Sequence, residues 1–453
     1  MLKEFWRGFG IVFLVGAGIL GAFLVFPAHL FSEFLDGAGS AFVGLGNSKP
    51  AAPEGKTVEE RIADARERSA KIKGLYMTAD VASDPGAGAA RLRKEIIRIA
   101  EETEVNGIVI DVKEVCGVDY DEKRIRQLIG ELKQNNIWSI ARLTVFKDAS
   151  QVEAHPEWYL TRASPRAAGG ECSRKRHLIA KSPKSEVRSP TSAFWQDRRG
   201  GYWMDPASED VWRYTADIAK RMIDLGFDEL QFDYIRFPSD GDVENARYPA
   251  WNGNTPRHAA LKKFFTFLHE DLKRYKPEII LSADLFGYVA LQREDLTIGQ
   301  RLDDIGHVFD YVSFMVYPSH YYNGLYVPAD ASRGTDAVYY TVAGARAHPD
   351  VVVDTSLAFA RDFLDGKTAS STSITASSTA TVSAAAATTA EPRARLRPWL
   401  EDFFHEEDRA AGRPWGARKV RMQIDAAESV EDHGWLLWNA ANVYSEEALK
   451  KEP

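Results

Sequence analysis

Two aspartates carry the most legible chemistry in the chain. Asp233 ends the run Glu229-Leu-Gln-Phe-Asp233, and Asp284 ends Ile279-Ile-Leu-Ser-Ala-Asp284. Cleavage of a glycosidic bond uses such a pair, one carboxyl as a protonated acid and the other as an ionised nucleophile or base. Their surroundings must then pull the two pKa values apart. Asp233, close in sequence to Arg236, is the expected ionised partner, with Arg142 as a further cation. Asp284 lies between Ala283 and Leu285-Phe286, so burial makes it the expected acid. A retaining mechanism is expected, which places the two carboxyls about 5 Å apart, against roughly 6.5–9.5 Å for inversion. Asp111 and Glu401 are the reserve candidates for the second carboxylate.

Further polar and aromatic residues stand where other apolar runs end. Asp111, Lys113, Arg142, Arg236, Tyr317, His320, Trp399, Glu401, Trp438 and Asn439 are the expected substrate-binding residues. Asp111 could equally cap a turn or pair with Lys113, and His320 could be a loop histidine that only hydrogen-bonds. Asp111, Asp233, Asp284 and His320 lack the tight spacing of a metal site, so no metal and no cofactor is expected. No serine or cysteine elbow motif is present.

These residues need a scaffold that brings strand ends together. The stretch Leu225 to Pro238 reads as a helix end, a turn at Gly226, a buried strand and an acid at its exit, with Pro238 as the stop. Similar strands are expected near residues 75, 109, 141, 282, 314, 397 and 437, mostly separated by helical segments. Asp205 and Pro206 read as the cap and first position of the helix before Leu225. Val338 to Ala347 reads as helical, and Val351 to Leu364 is open between strand and helix. Eight strand–helix repeats over residues 71–447 imply an α/β fold, a (β/α)8 TIM barrel with inserted loops and an N-terminal transmembrane helix. An open doubly wound sheet is the alternative, but Asp84-Pro-Gly-Ala-Gly is a poor phosphate turn.

Two insertions interrupt the barrel. Residues 147–202 are rich in Arg and Lys and are expected to form a loop or small subdomain, either a solvated insert or a rim that meets an acidic polymer or a membrane surface. Residues 366–391 are a Ser/Thr/Ala tract that cannot build a core and is expected to be disordered. At the N-terminus, no residue from 8 to 28 is charged, close to the roughly 20 apolar residues that span a bilayer. Lys3 and Arg7 precede this run and no Lys or Arg follows before Lys49, which orients the start (1–30) as a cytoplasmic end and anchor, and the rest as extracytoplasmic. Residues 31–70 are the expected linker. The net charge of −8 argues against a general nucleic-acid partner. Cys116 and Cys172 are the two cysteines, and their pairing is left open by sequence.

The runs Val109-Ile-Asp-Val-Lys113, Gly226 to Pro238, Ser282-Ala-Asp-Leu-Phe-Gly287, Met315 to Tyr321, Leu396-Arg-Pro-Trp-Leu400 and Gly434 to Ala440 resemble a bacterial family of glycoside hydrolase domains grouped with the TIM-barrel glycosidases. The resemblance spans about 73 to 445. It implies the barrel, a sugar substrate and a catalytic centre at the end of the fourth strand, which falls on Asp233. Related α-amylase-like enzymes place an acid, usually glutamate, after the fifth strand, where this chain has Asp284. The expected function is therefore a membrane-anchored hydrolase of an extracytoplasmic polysaccharide. A non-catalytic glycan-binding barrel and a metal-dependent polysaccharide deacetylase are the alternatives.

Overall fold

The computed structural model describes residues 55–162, 170–180, 193–329, 335–366, 393–403, 405–410, 412 and 415–451. The expected membrane span at 8–28, most of the linker and nearly all of the Ser/Thr/Ala tract lie outside these residues. No helix among the described residues is long and apolar enough to cross a membrane.

Eight strands form the frame: β1 (Ile72–Met77), β2 (Gly107–Glu114), β3 (Trp138–Thr144), β4 (Glu229–Asp233), β5 (Ile280–Phe286), β6 (Tyr311–Met315), β7 (Trp399–Glu401) and β8 (Gly434–Trp438). Each pairs in parallel with its neighbours in chain order, and β8 pairs with β1, so the sheet closes into a barrel. Helices α1 (Ala87–Glu102), α2 (Glu122–Gln134), α3 (Glu209–Leu225), α4 (Arg257–Tyr275), α5 (Leu302–Ile305), α6 (Pro349–Leu364) and α7 (Ala417–Val430) follow the first seven strands. This is the (β/α)8 architecture expected from the alternation of the sequence.

Alternation along each strand builds two cores. Leu230 and Phe232 of β4 join the outer apolar layer, together with Ile218, Met222 and Phe265 of the helices. The inward positions form a second cluster that includes Ile72, Tyr76, Val109, Trp138, Ile140, Ile280, Tyr311, Trp399 and Leu436. Space inside is tight: a Cβ at Gly107 would stand 2.4 Å from Ile72 Cγ2. The lower end is closed by a polar plug. Arg397 and Glu229, both fully buried, pair at 2.9 Å, and Trp138 Nε1 donates to Glu229 at 3.0 Å. Arg397 Nη2 also donates to the carbonyl of Ser69 at 2.8 Å, so the chain just before β1 is part of the closure. The helix Val58–Arg68 belongs to the same unit, although sequence placed these residues at the end of the linker.

Several local expectations are corrected. Helix α3 starts at Glu209 and is capped by Ser208, whose hydroxyl accepts from Val211 N. Asp205 instead accepts from the amides of Ala207, Ala250 and Trp251, tying the β3–α3 and β4–α4 connections together. Val338–Tyr340 is a strand paired with Leu325–Val327, and the helix begins only at Val342. The ambiguous stretch 351–364 is helical, within α6. Strand β7 is short because Pro398, without an N–H, separates it from Arg395–Leu396, which also pairs with β6. Gly226 ends α3 as expected, with φ 102° and its N–H bonded to Met222 and Ile223 carbonyls.

The basic excursion is not a solvated loop in its described parts. Tyr159, Leu160, Phe194, Trp195 and Tyr202 are buried, and Thr161–Arg162 pairs with Ala246–Arg247. Cys116 and Cys172 form a disulfide that fastens this excursion to the end of β2. Closing a loop of that length constrains the unfolded chain by about 4 kcal/mol in the entropic account. Cys116→Ser is accordingly expected to cost about 2–5 kcal/mol in urea unfolding. Adding a reductant to the wild-type protein should produce the same loss, and should produce none in the variant.

Candidate active site

Arg142 organises the upper end of the barrel. It sits on β3, flanked by Asp111 on β2 and Gln231 on β4 in the strand register. Its Nη1 donates to Asp111 Oδ1 at 2.6 Å, its Nη2 to Asp233 Oδ2, and its Nε to Asp284 Oδ2 at 3.4 Å. Four adjacent strands thus meet through one guanidinium. All three aspartates are almost wholly buried. Burial alone would lower the Arg142 pKa, but the surrounding carboxylates, Asp111 and Asp233 foremost, drive it well above its ordinary value.

The three acids differ in their other partners. Asp111 accepts a hydrogen bond from Tyr76 Oη through Oδ2. Asp233 accepts from the amide of Tyr234 at 2.5 Å. Tyr234 has φ 53°, a left-handed conformation that bulky residues rarely adopt, and β4 ends there. Asp284 accepts from Trp399 Nε1 at 2.8 Å. Its pKa is raised well above the carboxylate range, first by burial and then by the charge of Asp233; Arg142 and Trp399 only partly oppose this. Asp111 is raised too, again chiefly by burial.

These side chains face a cleft of ≈ 1330 Å³. That exceeds the ~300–1,000 Å³ of ordinary small-molecule pockets. Of the residues singled out by sequence, Arg142, Asp233, Arg236, Asp284, Tyr317, His320, Trp399, Trp438 and Asn439 line it. They do so in different ways. Trp438 is half-buried and forms an aromatic wall with Tyr76, Tyr317 and Phe403, at ring-centroid distances of 5.0–6.0 Å. Trp399 is buried and serves Asp284. Asn439 spends its amide on the carbonyls of Asp402 and Val443 at 2.5 Å, shaping the loop after β8. His320 lies against Tyr317 and Tyr322.

Three residues from that group are elsewhere. Asp111 lies beneath the cleft behind Arg142. It makes no pair with Lys113, which is buried and pairs with Asp148 at 2.8 Å while donating to the Thr144 carbonyl. Glu401 is fully buried; it accepts from Ser319 N and Oγ at 3.0 and 2.7 Å and contacts His405 Nε2 at 2.5 Å. It therefore fixes the loop after β6. The acid that reaches the cleft from β7 is the next residue, Asp402, whose pKa is pushed up to about 6 by burial, with Ser445 bonding both oxygens. Sequence reasoning missed Asp402, as it missed Tyr76 and His405. For Asp402 a usable signal existed, since it is the polar residue that directly follows the short strand.

Among the described residues no group of three or more His, Cys, Asp or Glu side chains is arranged to hold a metal ion. The cation among the three aspartates is Arg142 itself.

A closed parallel barrel whose C-terminal face carries paired carboxylates and aromatics defines a glycosidase-like TIM barrel. The chain belongs to the family described as "Putative glycosyl hydrolase domain", whose profile matches residues 74–169 and 172–444. No curated protein matches it in sequence. Among solved structures, a hypothetical protein from Ruminiclostridium thermocellum is 27% identical over 46% of this chain and 96% of its own, with a TM-score of 0.35. The PgaB (BpsB) glycoside hydrolase domain from Bordetella bronchiseptica is 13% identical, covering 82% and 95%, at 0.49. The α-galactosidase TtGalA from Thermus thermophilus is 12% identical, covering 85% and 62%, at 0.42. With TM-scores below 0.5, these likenesses leave the class resting on the chain's own barrel and family.

Arg142→Met removes the shared cation and strands three buried acids. Breaking such a buried network is expected to cost about 3–5 kcal/mol near neutral pH. The stranded acids then bind protons more tightly in the folded than in the unfolded chain, so stability falls as pH rises. The deficit against wild type should be larger at pH 8 than at pH 5 in paired urea melts.

Proposed function

We propose that this protein is a retaining glycoside hydrolase of an extracytoplasmic polysaccharide, held at the membrane by residues 8–28. The observation that carries the enzymatic reading is the pairing of Asp233 and Asp284 on adjacent strands, bound to one guanidinium, with burial raising the Asp284 pKa well above the carboxylate range. Asp284, kept protonated by burial, donates its proton to the glycosidic oxygen as the bond to the anomeric carbon breaks. Asp233, in its ion pair with Arg142, attacks that carbon to form a glycosyl-enzyme. Asp284, now a carboxylate, takes a proton from water, which displaces Asp233 and restores both groups. Trp438 and its aromatic neighbours offer a face for sugar C–H groups, and the size of the cleft supports a polymer as substrate.

The location rests on separate grounds. The uncharged run from 8 to 28 with its flanking Lys3 and Arg7 supports an anchor. The Cys116–Cys172 disulfide supports an oxidising compartment for the barrel.

One observation favours a second reading, a barrel that binds glycans without cleaving them. Both oxygens of Asp284 are already engaged, by Trp399 and Arg142, and Asp233 is tied into the same cluster. The metal-dependent deacetylase has no such support, because Arg142 occupies the centre of the acid cluster.

Screening the barrel fragment against polysaccharides and following the released reducing ends tests the proposal. Asp233→Asn is expected to abolish turnover while sparing binding. Asp284→Asn should lower turnover by about 10²–10⁴-fold and remove the alkaline limb of the pH–rate profile. Proton NMR of the first-formed product should show retained anomeric configuration. Glycan binding with no turnover in wild type would leave the binding-module reading in its place.

A further inference from the structure

We propose that the cleft contains a subsite for an anionic sugar, in which Arg236, flanked at the rim by Arg198 and Arg199, receives the carboxylate of a uronate unit. This rests on the glycosidase reading above and names the class of polymer it acts on.

Arg236 is the anomaly among the buried cations around the cleft. Arg142 has its three aspartates, Lys147 has Glu171 and Asp197, and Lys113 has Asp148, with ion-pair distances of 2.6–3.4 Å where the contacts are of ordinary length. Arg236 is only 8% exposed, yet among the described residues it makes no ion pair. Its Nη1 donates to the Phe237 carbonyl and to Ser239 Oγ, both at 3.1 Å. Its Nε and Nη2 donate to no described residue. The guanidinium is held instead by rings, with Phe286, Trp203 and Tyr234 at 4.5, 4.9 and 5.2 Å from its carbon to their centroids. Rings recover only part of the hydration that a buried cation loses.

Arg236 and its three rings all line the cleft, on the side where Asp233 and Asp284 open into it. The free Nε–Nη2 edge is the fork that takes a planar carboxylate with two parallel hydrogen bonds. Burial holds the Arg236 pKa below its ordinary value, against the charges of Asp233, Asp240 and Asp197. An incoming carboxylate would reverse that penalty. Arg198 and Arg199 add charge from the 147–202 excursion: both are exposed, both line the cleft, and neither pairs with an acid among the described residues. Asp240 and Asp197 are opposing charges on that side: Asp240 is exposed to solvent, Asp197 is taken up by Lys147 at 2.9 Å, and neither bonds Arg236.

The test uses the full chain in detergent, carrying Asp233→Asn so that binding is read without turnover. Calorimetry compares oligomers of polygalacturonate, alginate and hyaluronan with the same oligomers after reduction of their carboxyls to alcohols. At least one acidic series is expected to bind roughly 10–100-fold more tightly than its reduced counterpart. Arg236→Met should erase that difference while leaving affinity for the reduced oligomer in place. Arg236→Lys, which keeps the charge but loses the fork, guards against a folding defect and should recover only a part of it. Equal binding of acidic and reduced oligomers, or binding of none of the acidic series, overturns the subsite. Binding of dextran sulfate or inorganic phosphate with no uronate binding overturns the carboxylate assignment. Loss of the glycosidase reading would look different: wild type would bind the acidic oligomers through Arg236 and release no reducing ends.

Discussion

The upper half of the barrel depends on one constraint: three aspartates from three strands have been taken out of water, and one guanidinium on a fourth strand holds them there. Coulomb attraction to Arg142 is what makes the burial of Asp111, Asp233 and Asp284 tolerable. A single cation cannot fully neutralise three acids. Burial therefore raises the pKa of Asp111 and of Asp284 in spite of Arg142. Asp284, the most enclosed and the least tightly bonded to Arg142, is the acid whose pKa climbs most clearly above the ordinary range. The raised pKa of Asp284 thus follows from its burial and from how four strands share a single guanidinium.

The lower half of the barrel solves a similar problem without leaving anything reactive. Glu229 and Arg397 are both fully buried, matched one to one, and bonded further by Trp138 and the Ser69 carbonyl, with only Arg397 Nε left without a hydrogen-bond partner among the described residues. Neither side chain is exposed to solvent. The contrast shows why burial of charge alone does not mark an active site. The upper cluster has an excess of acid over base and an opening of ≈ 1330 Å³, while the lower one is balanced and sealed.

Much of this was legible in the sequence, for a physical reason. Parallel barrel strands are apolar runs that end in polar residues, so Asp111, Arg142, Asp233 and Asp284 could be placed on one face by counting alone. What counting could not supply was rotation and partner. Lys113 looked like a neighbour of Asp111 but turns to Asp148, because a register irregularity between Asp111 and Lys113 re-aims it. Glu401 looked like a cleft acid, yet Pro398 leaves β7 with only three residues, and Asp402 is the one that emerges. The cap of α3 was misplaced because Asp205 satisfies amides from another connection. The basic excursion looked soluble by composition, but its scattered aromatics pack once the Cys116–Cys172 bond draws them to the barrel, a contact between positions 56 residues apart.

The raised pKa of Asp284 can be measured without knowing the substrate. Carbon-13 NMR of the protein labelled at aspartate carboxyls, titrated across the neutral range, reads each acid directly. The account predicts a resonance that titrates well above the ordinary carboxylate range, disappears in Asp284→Asn, and moves downward in pH when Asp233 is replaced by Asn. If the Asp284 resonance titrates at or below that range, the division of roles within the cluster is wrong.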